Sequence, residues 1–269
     1  MGYRLIALDI DGTIRSDDYP LSDRTREAVA GVRAAGAEVT VATGRAFRSA
    51  ARASAELDIT APIASFQGAH VADPATGEVL WHRPLTAGQA VEALDALEPW
   101  GLEVLAYHGQ EVYVDELSPW VEGYGRRNDT RINVVDDLRS VADMEFTRLV
   151  VVGHDGKVQS LETALRERFD STLYVTRSLP HFCEILHPDG GKDKALSWLC
   201  GHLGIGPEET VAFGNGYNDV QMLQWAGLGV AIGGAVPEVL AVADRVAPPI
   251  EQDGAAQVLE ELLGHGLIG

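Results

Sequence analysis

Short apolar runs alternate with helix-like stretches over the first quarter of the chain. Residues 3–8 form an apolar run that ends in acids, as expected of a buried parallel strand whose carboxyl end delivers polar side chains. Ser22 can cap a helix that Gly36 ends, and residues 38–42 and 62–66 are predicted as the second and third strands. This alternation predicts the first half of a doubly wound parallel sheet.

The pattern changes after Gln67. Residues 70–73 and 79–83 are typical of a hairpin, and Thr86 with Gln89 forms the sequence signature of a capping box. Strands and helices then mix without simple alternation. We therefore expect an inserted α+β domain over residues 84–186.

The simple alternation returns near Lys192, with a helix to Leu203 and strands at residues 210–213 and 228–232. Residues 1–83 and 187–269 are thus expected to form one domain built from both ends of the chain. The predicted fold class is α/β: a doubly wound, Rossmann-like parallel-sheet core with an inserted α+β domain that can open or close over the strand ends.

The composition agrees with an ordered globular protein, since 46% of the residues are hydrophobic and 23% are charged. Lys and Arg number 21 against 40 Asp and Glu, which gives a formal charge of −19. This charge repels nucleic acids and anionic membranes, so neither is expected as a partner. A small anionic substrate stays possible, because a metal ion and a few local cations suffice to bind it.

The cysteines and the apolar runs indicate the cellular compartment of the protein. Cys183 and Cys200 belong to no metal-binding or redox motif, which favours a reducing cytosol. The apolar run at residues 5–8 is too short for a signal peptide, and no run approaches the roughly 20 residues of a membrane-spanning helix. We expect a soluble, cytoplasmic protein.

Two carboxylates, Asp9 and Asp11, follow the first strand, and Gly12 after them permits a sharp turn. Unpaired acids this close would repel each other, whereas Mg²⁺ favours both as oxygen ligands. One carboxylate can also act as a nucleophile towards phosphorus while the other protonates the leaving oxygen. A solvated turn is the commoner reason for two acids at this spacing. The preceding strand and the following Gly12 and Thr13 favour the chemical interpretation.

Three further motifs follow strand ends or open helices. Thr43, Gly44 and Arg45 offer a hydroxyl, a backbone N–H and a guanidinium, which bind anions, although a helix cap explains them equally well. Lys192, with Lys194 as its rival, opens a helix and could balance the charge of Asp9 or simply be solvated.

The last motif follows the strand at residues 210–213. Asn215, Asn218 and Asp219 make this loop rich in oxygen ligands, although Gly and Asn also favour an ordinary turn before a helix.

These four motifs, in this order, resemble those of the haloacid dehalogenase superfamily over the whole chain, and specifically its Cof-like phosphatases with a large C2-type α/β cap. The resemblance implies Asp9 as nucleophile and Asp11 as general acid and base. It also selects Lys192 rather than Lys194 as the lysine of the family's third motif. It places the phosphate-binding groups at Thr43, Gly44, Lys192 and Asn218, with Arg45 towards the substrate. It implies Mg²⁺ as the cofactor, with ligands from Asp9, Asp11, Asn215 and Asp219.

The sequence departs from the family pattern at three positions. Asn215 stands where the family usually has a metal-binding Asp, Asp193 replaces a Gly, and Gln67 replaces an Asn at the junction with the insertion. An amide oxygen can ligate Mg²⁺ but carries no formal charge, so Asn215 could weaken metal binding.

The resulting hypothesis is a Mg²⁺-dependent phosphatase that hydrolyses small-molecule phosphate monoesters, either sugar phosphates or phosphorylated cofactors, through an aspartyl-phosphate. Two alternatives stay open: a sugar phosphomutase, and a phosphate-ligand-binding module weakened by Asn215. A dehalogenase is disfavoured because that reaction needs neither the metal nor Asp11. The substrate, the cap residues that select it and the oligomeric state are not predicted.

Overall fold

The structure, a computed structural model, describes residues 2–269 and divides into two compact units. The core unit contains the chain up to Trp81 and returns from Gly191 to Gly269, and the inserted unit contains His82–Gly190. Whether residues 84–186 fold as an independent domain stays a prediction.

The first part of the core unit begins with a strand whose side chains are all buried and a helix that Ser22 caps. The Ser22 side chain accepts a hydrogen bond from the backbone N–H of Thr25, which confirms the predicted start of that helix. The elements are β1 (Leu5–Leu8), α1 (Asp23–Ala34), β2 (Glu38–Val41), α2 (Phe47–Ala55), β3 (Ile63–Ser65), β4 (His70–Ala72) and β5 (Val79–His82).

The inserted unit contains a six-stranded sheet with a hydrophobic cluster of its own. The predicted capping box of Thr86 and Gln89 is present at the start of its first helix. The elements are α3 (Ala87–Leu97), β6 (Glu103–His108), β7 (Glu111–Val114), α4 (Pro119–Asn128), β8 (Ile132–Val134), β9 (Arg148–Val152), α5 (Asp155–Phe169), β10 (Tyr174–Leu179) and β11 (Phe182–Leu186). The strand order in this sheet is β10-β11-β9-β6-β7-β8.

The second part of the core unit resumes the alternation of helix and strand. Its elements are α6 (Lys192–Leu203), β12 (Thr210–Gly214), α7 (Val220–Trp225), β13 (Leu228–Gly233), α8 (Pro237–Leu240), β14 (Arg245–Pro249) and α9 (Gly254–Gly264). None of the helices in residues 2–269 combines the length and apolar composition that crossing a membrane requires.

The main sheet of the core unit is parallel and has the order β14-β13-β12-β1-β2. Leu5 of β1 lies between Glu38 of β2 and Thr210 of β12, so this interior strand joins the two parts of the core unit. Ile6 and Leu8 pack in one hydrophobic cluster with α1, α2 and α9, and Ala7 packs in another with α6 and α7. Helices therefore cover both faces, which confirms the doubly wound α/β fold.

The third predicted strand takes a different place from the one expected. Ala64 of β3 pairs antiparallel with Val71 of β4, and β3, β4 and β5 form a separate three-stranded sheet. A single parallel bridge between Ala42 and Ala64 links it to the main sheet region. The local apolar run predicted the strand correctly, but its pairing partner depends on the hairpin that follows.

Candidate active site

Polar side chains of the four motifs meet at one end of the main sheet. Asp9 directly follows β1, Asn215 directly follows β12, and Thr43 comes two residues after the end of β2. Lys192 is the first residue of α6. Because the carboxyl ends of parallel strands share one edge of a sheet, the fold brings these distant segments together.

The Lys192 ammonium is fully buried between two carboxylates. Its Nζ donates to Asp9 Oδ1 and to Asp219 Oδ1, each at 2.6 Å. Although desolvation lowers the pKa of Lys192, the charges of Asp219 and Asp9 outweigh it and raise the pKa above its usual value. Lys192 therefore carries a fixed positive charge beside Asp9.

Asp219 uses both carboxylate oxygens within the protein. While Oδ1 accepts from Lys192, Oδ2 accepts from the backbone N–H groups of Asn215 and Gly216, each at 2.9 Å. The side chain is buried at the end of the short helical turn Tyr217–Asp219, directly before α7. These contacts tie the fourth motif to Lys192.

Asp9 is held by Lys192 on one oxygen and by Thr13, whose hydroxyl donates to Oδ2 at 3.1 Å, on the other. Burial raises the pKa of Asp9 to about 7, with Lys192 opposing this shift and Asp219 and Asp11 adding to it. A further positive charge near Asp9 would therefore favour its ionised form. Thr13 is a contact that the sequence did not single out as part of the site, although it lies within the first motif.

Arg45 binds Asp11 through two hydrogen bonds. Its Nε and Nη2 donate to Asp11 Oδ2 and Oδ1 at 2.8 and 2.6 Å, in the bidentate geometry of a strong guanidinium–carboxylate pair. The Asp11 side chain is 55% exposed, whereas Asp9 is buried. The two acids of the first motif thus occupy different environments, and Arg45 contacts the second acid.

The Asn215 amide approaches the first motif closely. One end of it lies 3.0 Å from the Thr13 hydroxyl, 3.0 Å from the Asp11 carbonyl oxygen and 3.3 Å from Asp9 Oδ2. These contacts are best satisfied when that end is the nitrogen, which then donates to Asp11 and Asp9. A Cβ at Gly12 would lie 2.2 Å from the amide, so only glycine permits this approach.

The oxygen atoms near Asp9 suit a hard divalent cation, but they carry little negative charge in total. The Asp9 carboxylate and the Asp11 carbonyl oxygen lie together, and oxygen ligands are those that Mg²⁺ prefers. The Asn215 amide directs its nitrogen at these two oxygens and would add an oxygen ligand only after turning by half a rotation. Within residues 2–269, no group of three or more His, Cys, Asp or Glu side chains is arranged to hold a metal ion. Asn215 in place of an acid reduces the negative charge at this position.

The second motif is covered by an unusual turn. Phe66 and Gln67 have positive φ angles of 49° and 57°, and Gly68 follows with φ of 85°. Such a conformation costs of order 1–3 kcal/mol for each non-glycine residue and is kept only where the surroundings enforce it. A Cβ at Gly68 would lie 2.1 Å from the carbonyl oxygen of Gly191, so this turn also fixes the start of α6.

Gln67 lies between the second and fourth motifs. Its Oε1 accepts from Asn218 Nδ2 at 2.8 Å, and its amide nitrogen lies 2.4 Å from where a Cβ at Gly44 would be. Thr43 is buried, and its hydroxyl accepts from the backbone N–H of Arg45 at 3.2 Å. The sequence identified Gln67 only as a departure from a family pattern and gave no signal for these contacts.

Comparison with known proteins identifies the family. The sequence profile of the haloacid dehalogenase-like hydrolases matches residues 6–259. The chain is 29% identical over 263 residues to the Bacillus subtilis (strain 168) protein 5-amino-6-(5-phospho-D-ribitylamino)uracil phosphatase YitU, with 96% of each chain covered. It is 27% identical over 286 residues to phosphatase YwpJ of the same organism, with 97% of this chain and 100% of YwpJ covered.

A solved structure supports the same assignment. The crystal structure of a haloacid dehalogenase-like hydrolase from Bacteroides thetaiotaomicron superposes with a TM-score of 0.80 at 28% identity, covering 97% of this chain and 99% of that one. The profile, the relatives and the structural match all extend over nearly the whole chain, including the inserted unit. The chain therefore belongs to the haloacid dehalogenase-like hydrolases, and within that superfamily to the Cof-like phosphatases with an α+β cap.

Proposed function

We propose that this enzyme hydrolyses small-molecule phosphate monoesters through an aspartyl-phosphate on Asp9. The observation that carries the proposal is the contrast between two neighbouring acids. Asp9 is buried against the fixed charge of Lys192, while Asp11 is half exposed at the same strand end. A buried carboxylate beside a cation suits a nucleophile, and an accessible carboxyl suits proton transfer.

In the proposed reaction, an Asp9 oxygen attacks phosphorus in line with the ester bond, and the bond to the leaving oxygen breaks. Asp11 gives its proton to that oxygen and then accepts a proton from the water that hydrolyses the aspartyl-phosphate. Lys192 offsets the charge of the transferring group, and Thr43, Gly44 and Asn218 hold its oxygens. Arg45 holds both oxygens of Asp11 in this structure, so this pair opens before Asp11 acts as the acid, and the released guanidinium is then available to the substrate.

We propose Mg²⁺ as the cofactor, held by Asp9, Asp11 and Asn215. When bound, the ion would supply positive charge beside the phosphoryl oxygens. Asp219, which the family resemblance also places among the ligands, stays the fourth proposed ligand. In this structure its Oδ1 accepts from Lys192 and its Oδ2 from two backbone N–H groups, and hydrogen bonds likewise reach both oxygens of Asp9 and of Asp11.

We propose sugar phosphates or phosphorylated cofactors as substrates. The name of the B. subtilis relative describes a phosphorylated ribitylamino group on a uracil, that is, the phosphate of a sugar alcohol carried by a heterocycle. A substrate panel should therefore include sugar phosphates, pyridoxal phosphate, flavin mononucleotide and phosphorylated ribityl compounds.

The test is phosphate release from this panel with and without Mg²⁺, comparing the wild type, Asp9→Asn and the exposed control Asp17→Asn. We expect metal-dependent release from the wild type and the control, and none from Asp9→Asn, which keeps the shape but loses the nucleophile. Substantial turnover by Asp9→Asn would contradict the assignment of the nucleophile.

One observation favours a second candidate function. Because the Asn215 amide can donate to Asp9 and Asp11 in place of a cation, the site could hold a phosphorylated ligand without turnover. Metal-independent binding of a phosphorylated compound, with no release of phosphate from any member of the panel or from an aryl phosphate, would favour this binding function.

A further inference from the structure

We infer that Gln67 is a positioning residue that fixes the Asn218 amide for phosphate binding. The inference deepens the proposed function and rests on its assignment of Asn218 to the phosphoryl oxygens. Gln67 is 1% exposed, and its Oε1 accepts a hydrogen bond of 2.8 Å from Asn218 Nδ2.

The backbone around Gln67 is fastened to the second motif. The N–H of Gln67 donates to the carbonyl oxygen of Thr43 at 3.0 Å, and the N–H of Phe66 donates to that of Arg45 at 2.9 Å. Since Thr43 in turn donates its N–H to Ala64 at 3.0 Å, the turn and the phosphate-binding loop form one hydrogen-bonded unit. Any movement of this loop would therefore displace the Gln67 side chain.

The Gln67 side chain is equally fixed by its packing. Its amide fills the space beside Gly44, where a Cβ would lie 2.4 Å from Nε2 and 2.9 Å from Cδ. Any side chain at position 44 would overlap the Gln67 amide, so glycine is needed there. The consequence is that Oε1 is presented to Asn218 in one orientation.

The contact is made by the NH₂ end of the Asn218 amide. Gln67 places its Nε2 beside Gly44 and its Oε1 towards Asn218, and a carbonyl oxygen accepts but cannot donate, so Asn218 is the donor. Its second N–H is then available for a phosphoryl oxygen. Without Gln67 the amide could rotate and present its oxygen, which would repel a phosphate.

The backbone at Gln67 is strained. Two successive non-glycine residues, Phe66 and Gln67, adopt left-handed backbone conformations, and such strain concentrates at functional sites. A surface turn would adopt this conformation with glycine or asparagine. The Gln67 amide joins two separate loops of the site, at Gly44 and at Asn218, which a role in the stability of the turn alone would not need.

A double-mutant cycle on the binding of inorganic phosphate tests the inference. The full-length wild type, Gln67→Met, Asn218→Ala and the double variant are titrated with phosphate by calorimetry in the presence of Mg²⁺. The exposed Gln252→Met serves as control, and thermal unfolding reports whether each variant is folded. If Gln67→Met does not fold, the cycle is repeated with Gln67→Asn, which tolerates a left-handed backbone but is one methylene shorter.

We expect each single variant to weaken phosphate binding about three- to tenfold, the effect of one hydrogen bond. If Gln67 acts through Asn218, the double variant binds within about twofold of Asn218→Ala alone. Losses that multiply in the double variant, or unchanged binding in Gln67→Met, would overturn the inference, as would a wild type that does not bind phosphate. A wild type that binds phosphate but releases none from the substrate panel contradicts the proposed function while the cycle still decides the role of Gln67.

Discussion

At the scale of single residues, Lys192 holds two buried acids in place. Removing it by Lys192→Met would leave Asp9 and Asp219 buried without their counter-charge, since both contacts are 2.6 Å and the lysine is fully buried. Breaking a buried ion pair costs about 3–5 kcal/mol of folding free energy. We expect Lys192→Met to lower the free energy of unfolding by about 3 kcal/mol, measured by guanidinium denaturation at pH 8.

The rival lysine of the same helix provides the control. Lys194 is exposed, so Lys194→Met should change the free energy of unfolding by no more than about 0.5 kcal/mol. Equal losses in the two variants would show that Lys192 is not the structural partner of the acids.

Asn215 determines how much negative charge the proposed metal site carries. Asn215→Asp would replace an amide that lies 3.3 Å from Asp9 Oδ2 with a second anionic oxygen ligand. We expect this variant to bind Mg²⁺ about tenfold or more tightly, measured by calorimetry without substrate; a tenfold change corresponds to about 1.4 kcal/mol. The exposed Gln159→Glu, which adds the same charge elsewhere, should leave the affinity unchanged. Equal affinities for Mg²⁺ in Asn215→Asp and the wild type would place the ion away from Asn215.

At the scale of elements, the turn at residues 66–68 couples the second motif to the start of α6. In Gly68→Ala the added Cβ would meet the Gly191 carbonyl oxygen at 2.1 Å in a backbone of φ 85°, so either the turn or α6 must move. We expect a loss of about 2 kcal/mol or more in the free energy of unfolding, together with weaker phosphate binding.

Gly36→Ala separates steric overlap from backbone strain. Gly36 also has a positive φ, of 100°, but no atom lies within 4 Å of its added Cβ. This variant should lose stability through backbone strain alone and keep its phosphate affinity. If Gly36→Ala weakened phosphate binding as much as Gly68→Ala, the coupling through α6 would be wrong.

The sequence predicted those elements whose signals are local. Apolar runs located β1 and β2, Ser22 and Thr86 marked helix starts, and α6 was predicted over its full length. Pairing partners are not local, which explains why the antiparallel pairing of β3 with β4 was not predicted; a single parallel bridge still joins β3 to the end of β2. β14 was missed because its five residues contain two prolines, which sheets tolerate at an edge, where this strand lies.

In the candidate site, too, the residues could be predicted from local sequence but their contacts could not. The motifs located Asp9, Asp11 and Lys192 because acids after an apolar strand and a lysine at a helix start are visible in a single sequence. Their contacts depend on the assembled sheet, so neither the binding of Asp219 to Lys192 nor that of Arg45 to Asp11 could be predicted. The catalytic roles assigned to these residues stay predictions until the variants are measured.

At the scale of the whole molecule, the inserted unit contains what an independent domain needs. Its hydrophobic cluster contains Leu85, Phe146 and Phe169 together with buried residues of α3, α5 and the six-stranded sheet. We expect a fragment of residues 82–190 to fold alone and to unfold cooperatively on heating, measured by circular dichroism against the full chain. A fragment with no cooperative transition would show that the insertion is not an autonomous domain.

The position of β1 between β2 and β12 has a consequence for how the enzyme is made. The ribosome makes β1 well before its neighbour β12, which begins at Thr210. At about 5–20 residues per second, the nascent chain waits roughly ten seconds or more for that partner. If the insertion folds alone, as predicted above, it can do so during this interval, while the apolar β1 stays accessible to chaperones and proteases. The proposed active site is assembled last, so we expect a translation product that ends before Lys192 to lack activity.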